Sequence, residues 1–428
     1  MRYAPIPDSL FADRRQQFSK RMLRDSIAIF YSNEPMPRNG DTHFPFRQDS
    51  DLFALSGLDQ PETILVLFPA TSIKSQKAIA FILPHDPRHA IWNGKRYTKQ
   101  EASRISGIPS IHYLGAWNKV MKPILQSVRT IYLNTDLPKD HGGLRTLTER
   151  QASLLHQQYP LHQFRNAQPI LASMMMIKHP LELDLMRQAI HVTGLAFQQV
   201  LQGVQPGMRE FEVEAILHRC FTAHGCQHAF EPIVASGAAA CILHYVRNQA
   251  IIKPETLLLL DFGAEYANMA SDVSRTIPVS GRFTNRQREL YEAVLRILNE
   301  VMDLMRPGIL LKELNTETGK IIDHELVRLR LVRKHEFKKQ EKGHPLRLTY
   351  FMHGVSHHLG YDVHDKYDKS TPLRAGMVLT CEPGLYIREE KTGIRLENDI
   401  LITRGKPRNL TEHIPIDPEE IESLMTQR

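Results

Sequence analysis

Asp261, Asp272, His357, Glu382 and Glu397 follow one another through the C-terminal half of this 428-residue chain. Asp261 closes the run Thr256-Leu-Leu-Leu-Leu-Asp-Phe-Gly263, and Asp272 follows eleven residues later in Ser271-Asp-Val-Ser-Arg-Thr276. His357 ends Phe351-Met-His-Gly-Val-Ser-His357, Glu382 lies in Leu379-Thr-Cys-Glu-Pro-Gly384, and Glu397 in Ile394-Arg-Leu-Glu-Asn-Asp399. Brought together without metal, four carboxylates would repel and raise one another's pKa values. Two divalent cations would cancel the four negative charges and activate water for hydrolysis near neutral pH. The residue types therefore point to a two-metal hydrolase. Hard oxygen donors with one imidazole suit manganese or a similar ion better than zinc.

These acids need rigid elements behind them. Leu-Leu-Leu-Asp261-Phe-Gly263 and Val378-Leu-Thr-Cys-Glu382-Pro-Gly384 both run an apolar strand into a carboxylate followed by glycine. A second carboxylate follows each, after eleven and fifteen residues. The echo predicts a pseudo-twofold pair of βαβ-like halves, each giving two acids to one central site. Helices are expected over Leu181 to Val204, Glu210 to Ala223, Asn285 to Met305 and Leu311 to Leu331, interleaved with the acid-bearing strands. That pattern fits an α+β domain over residues 173–428. Residues 1–172 alternate strands (Ile27 to Tyr31, Glu62 to Phe68, Lys77 to Leu83, Thr130 to Leu133) with helices (Ala12 to Arg24, Leu144 to Gln158), the signature of a smaller α/β domain. Pro169 and Pro180 punctuate the boundary.

Composition narrows the class. Hydrophobic residues are 42% of the chain, enough for packed cores, yet no apolar run is long enough to span a membrane. The start lacks an apolar signal core, and Cys220, Cys226, Cys241 and Cys381 have no C-x-x-C spacing, so a reduced, cytoplasmic protein is expected. Cys381, beside Glu382, reads as a small apolar filler. The net charge of +7 invites a nucleic-acid reading. Nearly all of the excess lies in Arg328 to Arg347, eight basic and two acidic residues, which reads as a solvated helix end and loop. No nucleic acid is expected as a partner.

The strings Ile242-Leu-His-Tyr245, Asp261-Phe-Gly263, Ser271-Asp-Val-Ser-Arg-Thr276, Met352-His-Gly-Val-Ser-His-His-Leu-Gly360, Asp362-Val-His-Asp365, Glu382-Pro-Gly-Leu-Tyr386 and Gly393-Ile-Arg-Leu-Glu397 resemble the pita-bread metallopeptidases, and among them the aminopeptidase P (Xaa-Pro aminopeptidase) family. Phe44-Pro-Phe-Arg-Gln-Asp-Ser-Asp-Leu-Phe53 and Ile91-Trp-Asn-Gly94 extend the resemblance across nearly the whole chain. It implies a pita-bread catalytic domain, two Mn²⁺ ions and peptide substrates with proline in the second position. Asp272 and Glu397 would bridge the ions, Asp261 would bind one, and His357 with Glu382 the other. Glu382 would also carry the proton from water to the leaving nitrogen. His364 would stabilise the oxyanion, and His244 and His353 would line the leaving-group side with Arg395 and Tyr386. A prolyl nitrogen lacks a hydrogen, so a dedicated ring pocket is needed, which His353 and Arg395 would shape. Asp41 and Trp92 match family positions near the site mouth. His358 stands where relatives carry an apolar aromatic and reads as structural, and Lys369 replaces a frequent arginine. The resemblance further implies a homo-oligomer, dimer or tetramer.

Prolidase shares the five ligands and the reaction but takes dipeptides; Arg388 is the candidate cap for a dipeptide carboxylate. Methionine aminopeptidase would leave the first domain unexplained, and creatinase-like relatives lack the ligands. A non-catalytic nucleic-acid-binding relative would have lost them too. The two-metal reading requires the donor atoms of all five residues to face one small cavity.

Overall fold

Ser26-Ile-Ala-Ile-Phe-Tyr31 is buried along its whole length, as only the centre of a sheet covered on both faces allows. The computed structural model describes residues 2–135, 145–341 and 343–426. They divide into two compact units, residues 3–174 and residues 175–428, the latter joined by Arg2.

In the first unit the six-stranded sheet runs Ser110–Tyr113, Ala78–Ile82, Ile64–Leu67, Ser26–Tyr31, Thr130–Leu133, Gln163–Asn166. Ile64–Leu67 pairs antiparallel with both its neighbours, and the other three pairings are parallel. Ile29, Val66, Phe81 and Ile131 pack on one face with Met121 and Ile124 of helix Trp117–Ser127. Phe18 of helix Asp8–Ser19 meets Phe30 edge-on at 5.3 Å. This helix begins four residues before the expected Ala12 and ends before Arg24. Helix Leu147–Gln158 opens with a Thr146–Glu149 capping box; Leu144, the expected start, lies outside the described residues.

The second unit holds the acids. Helix Pro180–Gly203 turns Met186, Ala189, Ile190, Thr193 and Phe197 inward at helical spacing. Strand Leu257–Phe262 pairs antiparallel with Val273–Pro278, and Val378–Cys381 pairs antiparallel with Asn398–Leu401. The two halves are therefore antiparallel strand pairs, each following two helices, and not βαβ units. In each half the first acid stands at the end of the first strand and the second stands just before its partner. Between the acids a short hairpin projects: Ala264–Tyr266 with Met269–Ala270 in the first half, Gly384–Ile387 with Thr392–Arg395 in the second.

The first half closes tightly. Phe262 pairs with Val273, which puts Gly263 against Ser271, and a Cβ on Gly263 would lie 1.8 Å from the Ser271 carbonyl oxygen. Only glycine fits there. Thr193 Oγ1 lies 2.7 Å from Ser271 Oγ and accepts from Ala264 N at 2.9 Å, so the long helix braces this corner.

Beyond helix Leu311–Arg328, the side chains of Arg330, Arg333, Lys334, Lys338 and Lys339 are exposed, and Arg347 pairs with Asp323 at 3.1 Å. Lys342 of this basic segment lies outside the described residues. Among the described residues no helix is long and apolar enough to cross a membrane, and all four cysteines are free.

Gly263→Ala is expected to lower stability by about 1–3 kcal/mol, the usual cost of overpacking a rigid site. The decrease should appear in the denaturant midpoint; an unchanged midpoint would show that the corner yields without strain.

Candidate active site

Strand register decides which way Asp261 points. Residues 257, 259 and 261 share one face of their strand, and Asp261 pairs with Ile233 on one side and Ser274 on the other. Ile233 and Asp261 both line a cavity of about 690 Å³, together with Asp272, His357, Glu382 and Glu397. His244, His353, His364 and Arg395 line the same cavity. His244 and His364 sit exposed at its rim.

His357 reaches the acids because its segment runs beside the strand leading to Glu382. Thr380 N donates to His357 O at 2.9 Å, His357 N donates to Thr380 Oγ1 at 3.1 Å, and Glu382 N donates to Val355 O at 2.9 Å. The His357 Nδ1–H donates to the His358 carbonyl at 3.1 Å, which leaves the Nε2 lone pair free. That nitrogen lies 3.4 Å from Asp272 Oδ2 and 3.6 Å from Glu382 Oε1.

Glu397 is held from the other half. Its amide donates to Ser274 O at 3.0 Å, and its Oε2 accepts from Ser274 Oγ at 2.9 Å. Ligating atoms of Asp272, His357 and Glu397 lie within 4.8 Å of one another.

Arg395 crosses the wall. It donates to Asp261 Oδ2 at 2.6 Å, to Ser274 Oγ at 2.8 Å and to Tyr386 Oη at 3.0 Å. Tyr386 Oη lies 2.8 Å from His353 Nε2, and His353 Nδ1 lies 2.8 Å from the Gly354 carbonyl. Since Nδ1–H must serve the carbonyl, Nε2 accepts from the tyrosine hydroxyl. Arg395, Tyr386 and His353 thus form one directed chain. Burial, then the nearby Arg395, lowers the His353 pKa to about 4, so the ring stays neutral. Burial raises Tyr386 to about 12, keeping its proton in place.

The carboxylates show the cost of burial, to which their proximity adds. Burial first, then Asp261, raises the Asp272 pKa well above the usual range; burial, then Asp272, does the same to Glu397. Burial raises Glu382 to about 7 against the pull of His357 and Arg395. Asp261 Oδ1 is buried with no hydrogen-bond partner. An orphaned carboxylate oxygen beside three proton-hungry acids and a free imidazole nitrogen is the chemistry that divalent cations satisfy, so the donor set fits metal.

Two features escaped the sequence reading. Arg275, fully buried, donates to the carbonyls of Glu397 at 2.6 Å, Pro415 at 2.9 Å and Ile414 at 3.2 Å, and to Asn398 Oδ1 at 3.0 Å. It stitches the Glu397 backbone to the first half; burial lowers its pKa to about 10 without discharging it. Asp399, also fully buried, accepts from Asp272 N at 3.3 Å, and burial raises its pKa to about 8. Both stand in strings that mark the site, yet neither position announces burial.

Of the other expected residues, His358 is buried and stacks on Tyr367 at 4.9 Å, away from the cavity wall. Asp41 occupies an exposed turn of the N-terminal unit, and Trp92, on helix Pro87–Asn93 of that unit, is 86% exposed and so is no core aromatic.

Residues 184–404 match the family model for metallopeptidase family M24, and residues 11–132 match that for the aminopeptidase P N-terminal domain. The chain is 33% identical to an Xaa-Pro aminopeptidase of Escherichia coli K12, with 97% of each chain covered. It is 31% identical to human Xaa-Pro aminopeptidase 3, over 94% of this chain and 81% of the human protein. Aminopeptidase P from Escherichia coli with the inhibitor Pro-Leu superposes with a TM-score of 0.89 at 31% identity, covering 99% of both chains.

The raised acid pKa values set a pH dependence with a definite sign. With the folded pKa of Glu382 near 7, the metal-free fold holds a proton that the unfolded chain has released above the ordinary glutamate range. Its contribution therefore weakens the metal-free fold as pH rises from that range through about 7. Metal binding needs the ionised form and releases the proton. The difference in melting temperature between Mn²⁺-loaded and metal-stripped protein should widen as pH rises through this window; a constant difference would contradict the assignment.

Proposed function

Because this chain belongs to metallopeptidase family M24, we propose that it is an Xaa-Pro aminopeptidase, releasing the N-terminal residue from peptides whose second residue is proline. The observation that carries this reading is the convergence of five metal-type donors on a cavity walled by His353 and Arg395. The relative solved with Pro-Leu supports it, since that inhibitor begins with the residue that would lead the departing product.

Asp272 and Glu397 would be shared by two divalent ions, manganese in this reading, with Asp261 holding one and His357 with Glu382 the other. When bound, the ions supply charge neutralisation and a lowered pKa for water. The chain's own residues do the rest. Glu382 takes a proton from water on its carboxylate and passes it to the leaving prolyl nitrogen. His364, at the cavity rim with its ring 4.3 Å from that of His357, donates to the carbonyl oxygen as charge develops there. His353 stays neutral and, with Arg395 and Tyr386 behind it, gives the proline ring a fixed wall. His244 lines the leaving-group side. The reading includes a cytoplasmic homo-oligomer, dimer or tetramer, that binds no nucleic acid; the basic segment is a solvated surface.

Prolidase is the rival. Its signature would be a cation capping the dipeptide carboxylate, but Arg388 is exposed and stands outside the cavity lining. Tripeptides of the form Xaa-Pro-Xaa should therefore be cleaved with higher kcat/KM than Xaa-Pro dipeptides. The reverse order, abolished by Arg388→Ala, would make the enzyme a prolidase.

Variant enzymes test the roles. Asp272→Ala and Glu397→Ala should lose both metals, by elemental analysis, and nearly all activity. His364→Ala should keep its metal while turnover falls about 10²–10³-fold, the usual cost of one oxyanion donor. Metal loss in His364→Ala would mean that its role is misassigned.

A further inference from the structure

His364 sits at the exposed rim of the cavity, yet an oxyanion donor must be held in place to be effective. The residue that follows it supplies the anchor. Asp365 Oδ2 accepts from Lys178 Nζ at 2.6 Å, and both side chains are only 2% exposed. Lys178 Nζ also donates to Met175 O at 3.1 Å, and Lys178 N donates to Gly376 O at 2.8 Å. Asp365 N donates to His358 O at 2.9 Å, and Asp365 Oδ1 accepts from Lys366 N at 2.9 Å. The segment from His357 to Asp365 is therefore a loop closed at its base, with a cation 187 residues away in sequence locking the closure.

The surroundings are shaped around this pair. A Cβ on Gly360 would lie 1.9 Å from Asp365 Oδ2 and 2.5 Å from Lys178 Nζ, so glycine leaves the room that the ion pair fills. Neither Lys178 nor Asp365 lines the cavity. A buried ion pair contributes little net stability compared with apolar residues of the same volume. What it does supply is a fixed geometry, here one residue from the group that must meet the carbonyl oxygen.

We propose that Lys178 is a positioning residue for the reaction: through Asp365 it fixes His364 at the cavity rim. This rests on the role given to His364 above, and the test keeps the two apart. Turnover on an Xaa-Pro-Xaa tripeptide, KM and Mn²⁺ content would be measured for wild type, Lys178→Met, His364→Ala and the double variant. In the His364-containing enzyme, Lys178→Met should lower kcat roughly 10–100-fold, as loss of a supporting partner does, with metal retained and KM changed far less. In the His364→Ala background the same substitution should change kcat by no more than about twofold. Equal losses in both backgrounds, or a loss that tracks metal content, would overturn the positioning role alone. Full turnover in His364→Ala would overturn the reading of His364 and the positioning role with it. Should Lys178→Met leave Asp365 charged and the fold broken, Lys178→Met/Asp365→Asn removes both charges. It is expected to fold and to show the same background-dependent loss, and background-independent loss there would equally overturn the proposal.

Discussion

Four carboxylates brought to one cavity repel, and the architecture around the cavity manages that repulsion. Asp272 and Glu397 are almost fully buried, and no ordinary core tolerates such groups ionised and unpaired. Two arginines divide the work of holding the site. Arg395 meets Asp261 directly and offsets part of the charge. Arg275 spends its donors on backbone carbonyls and Asn398, so it fixes where Glu397 stands without cancelling its charge. The remaining deficit is left open, with Asp261 Oδ1 unpartnered. A fold that stopped at stability would have closed that gap; leaving it open creates the demand for cations on which hydrolysis depends.

Placing acids at strand ends is a cheap solution to a precise requirement. Strand pairing fixes a Cα position through several hydrogen bonds, and a side chain one residue beyond inherits that rigidity while facing a cavity. The pairing of His357 with Thr380 extends this logic to the imidazole. Its ring is oriented by a carbonyl one residue along the chain, so ligand geometry is built from local backbone and not from flexible side-chain contacts.

Much of this was legible in the sequence. A tetra-leucine run ending in Asp261 can hardly be other than a buried strand presenting its last residue, and the same grammar recurs at Glu382. Helix Glu210–Ala223 has the bounds that its periodicity implies. Strand direction, however, is not written in a strand-carboxylate-glycine string, which is why the halves read as βαβ units when they are antiparallel pairs. The strands Ser110–Tyr113 and Gln163–Asn166 escaped notice because they form the two edges of their sheet, where partial exposure dilutes the apolar signal. The helix Trp117–Ser127 was hidden by Pro123 within it. Arg275 and Lys178 were invisible for a deeper reason. A basic residue is expected outside, and only the tertiary fold gathers the carbonyls or the carboxylate that make its burial tolerable.

The two hairpins between the paired acids differ in length by four residues, eleven against fifteen between carboxylates. The shorter one turns back without reaching the cavity, whereas the longer carries Arg395 into its wall and sets the buried Tyr386 behind it. The outgoing arms are equal; two of the extra residues lie in the turn (388–391 against 267–268) and two in the returning arm (392–397 against 269–272). Because a pleated ribbon alternates its faces every residue, an arm that grows by two keeps the same side chains pointing inward and leaves its acid at the strand end. Substrate preference can thus evolve by growing or trimming one ribbon in even steps while the metal platform stays untouched. A scaffold built this way is modular in a literal sense: the hairpin is free to diversify because the strand pair beneath it already fixes both acids.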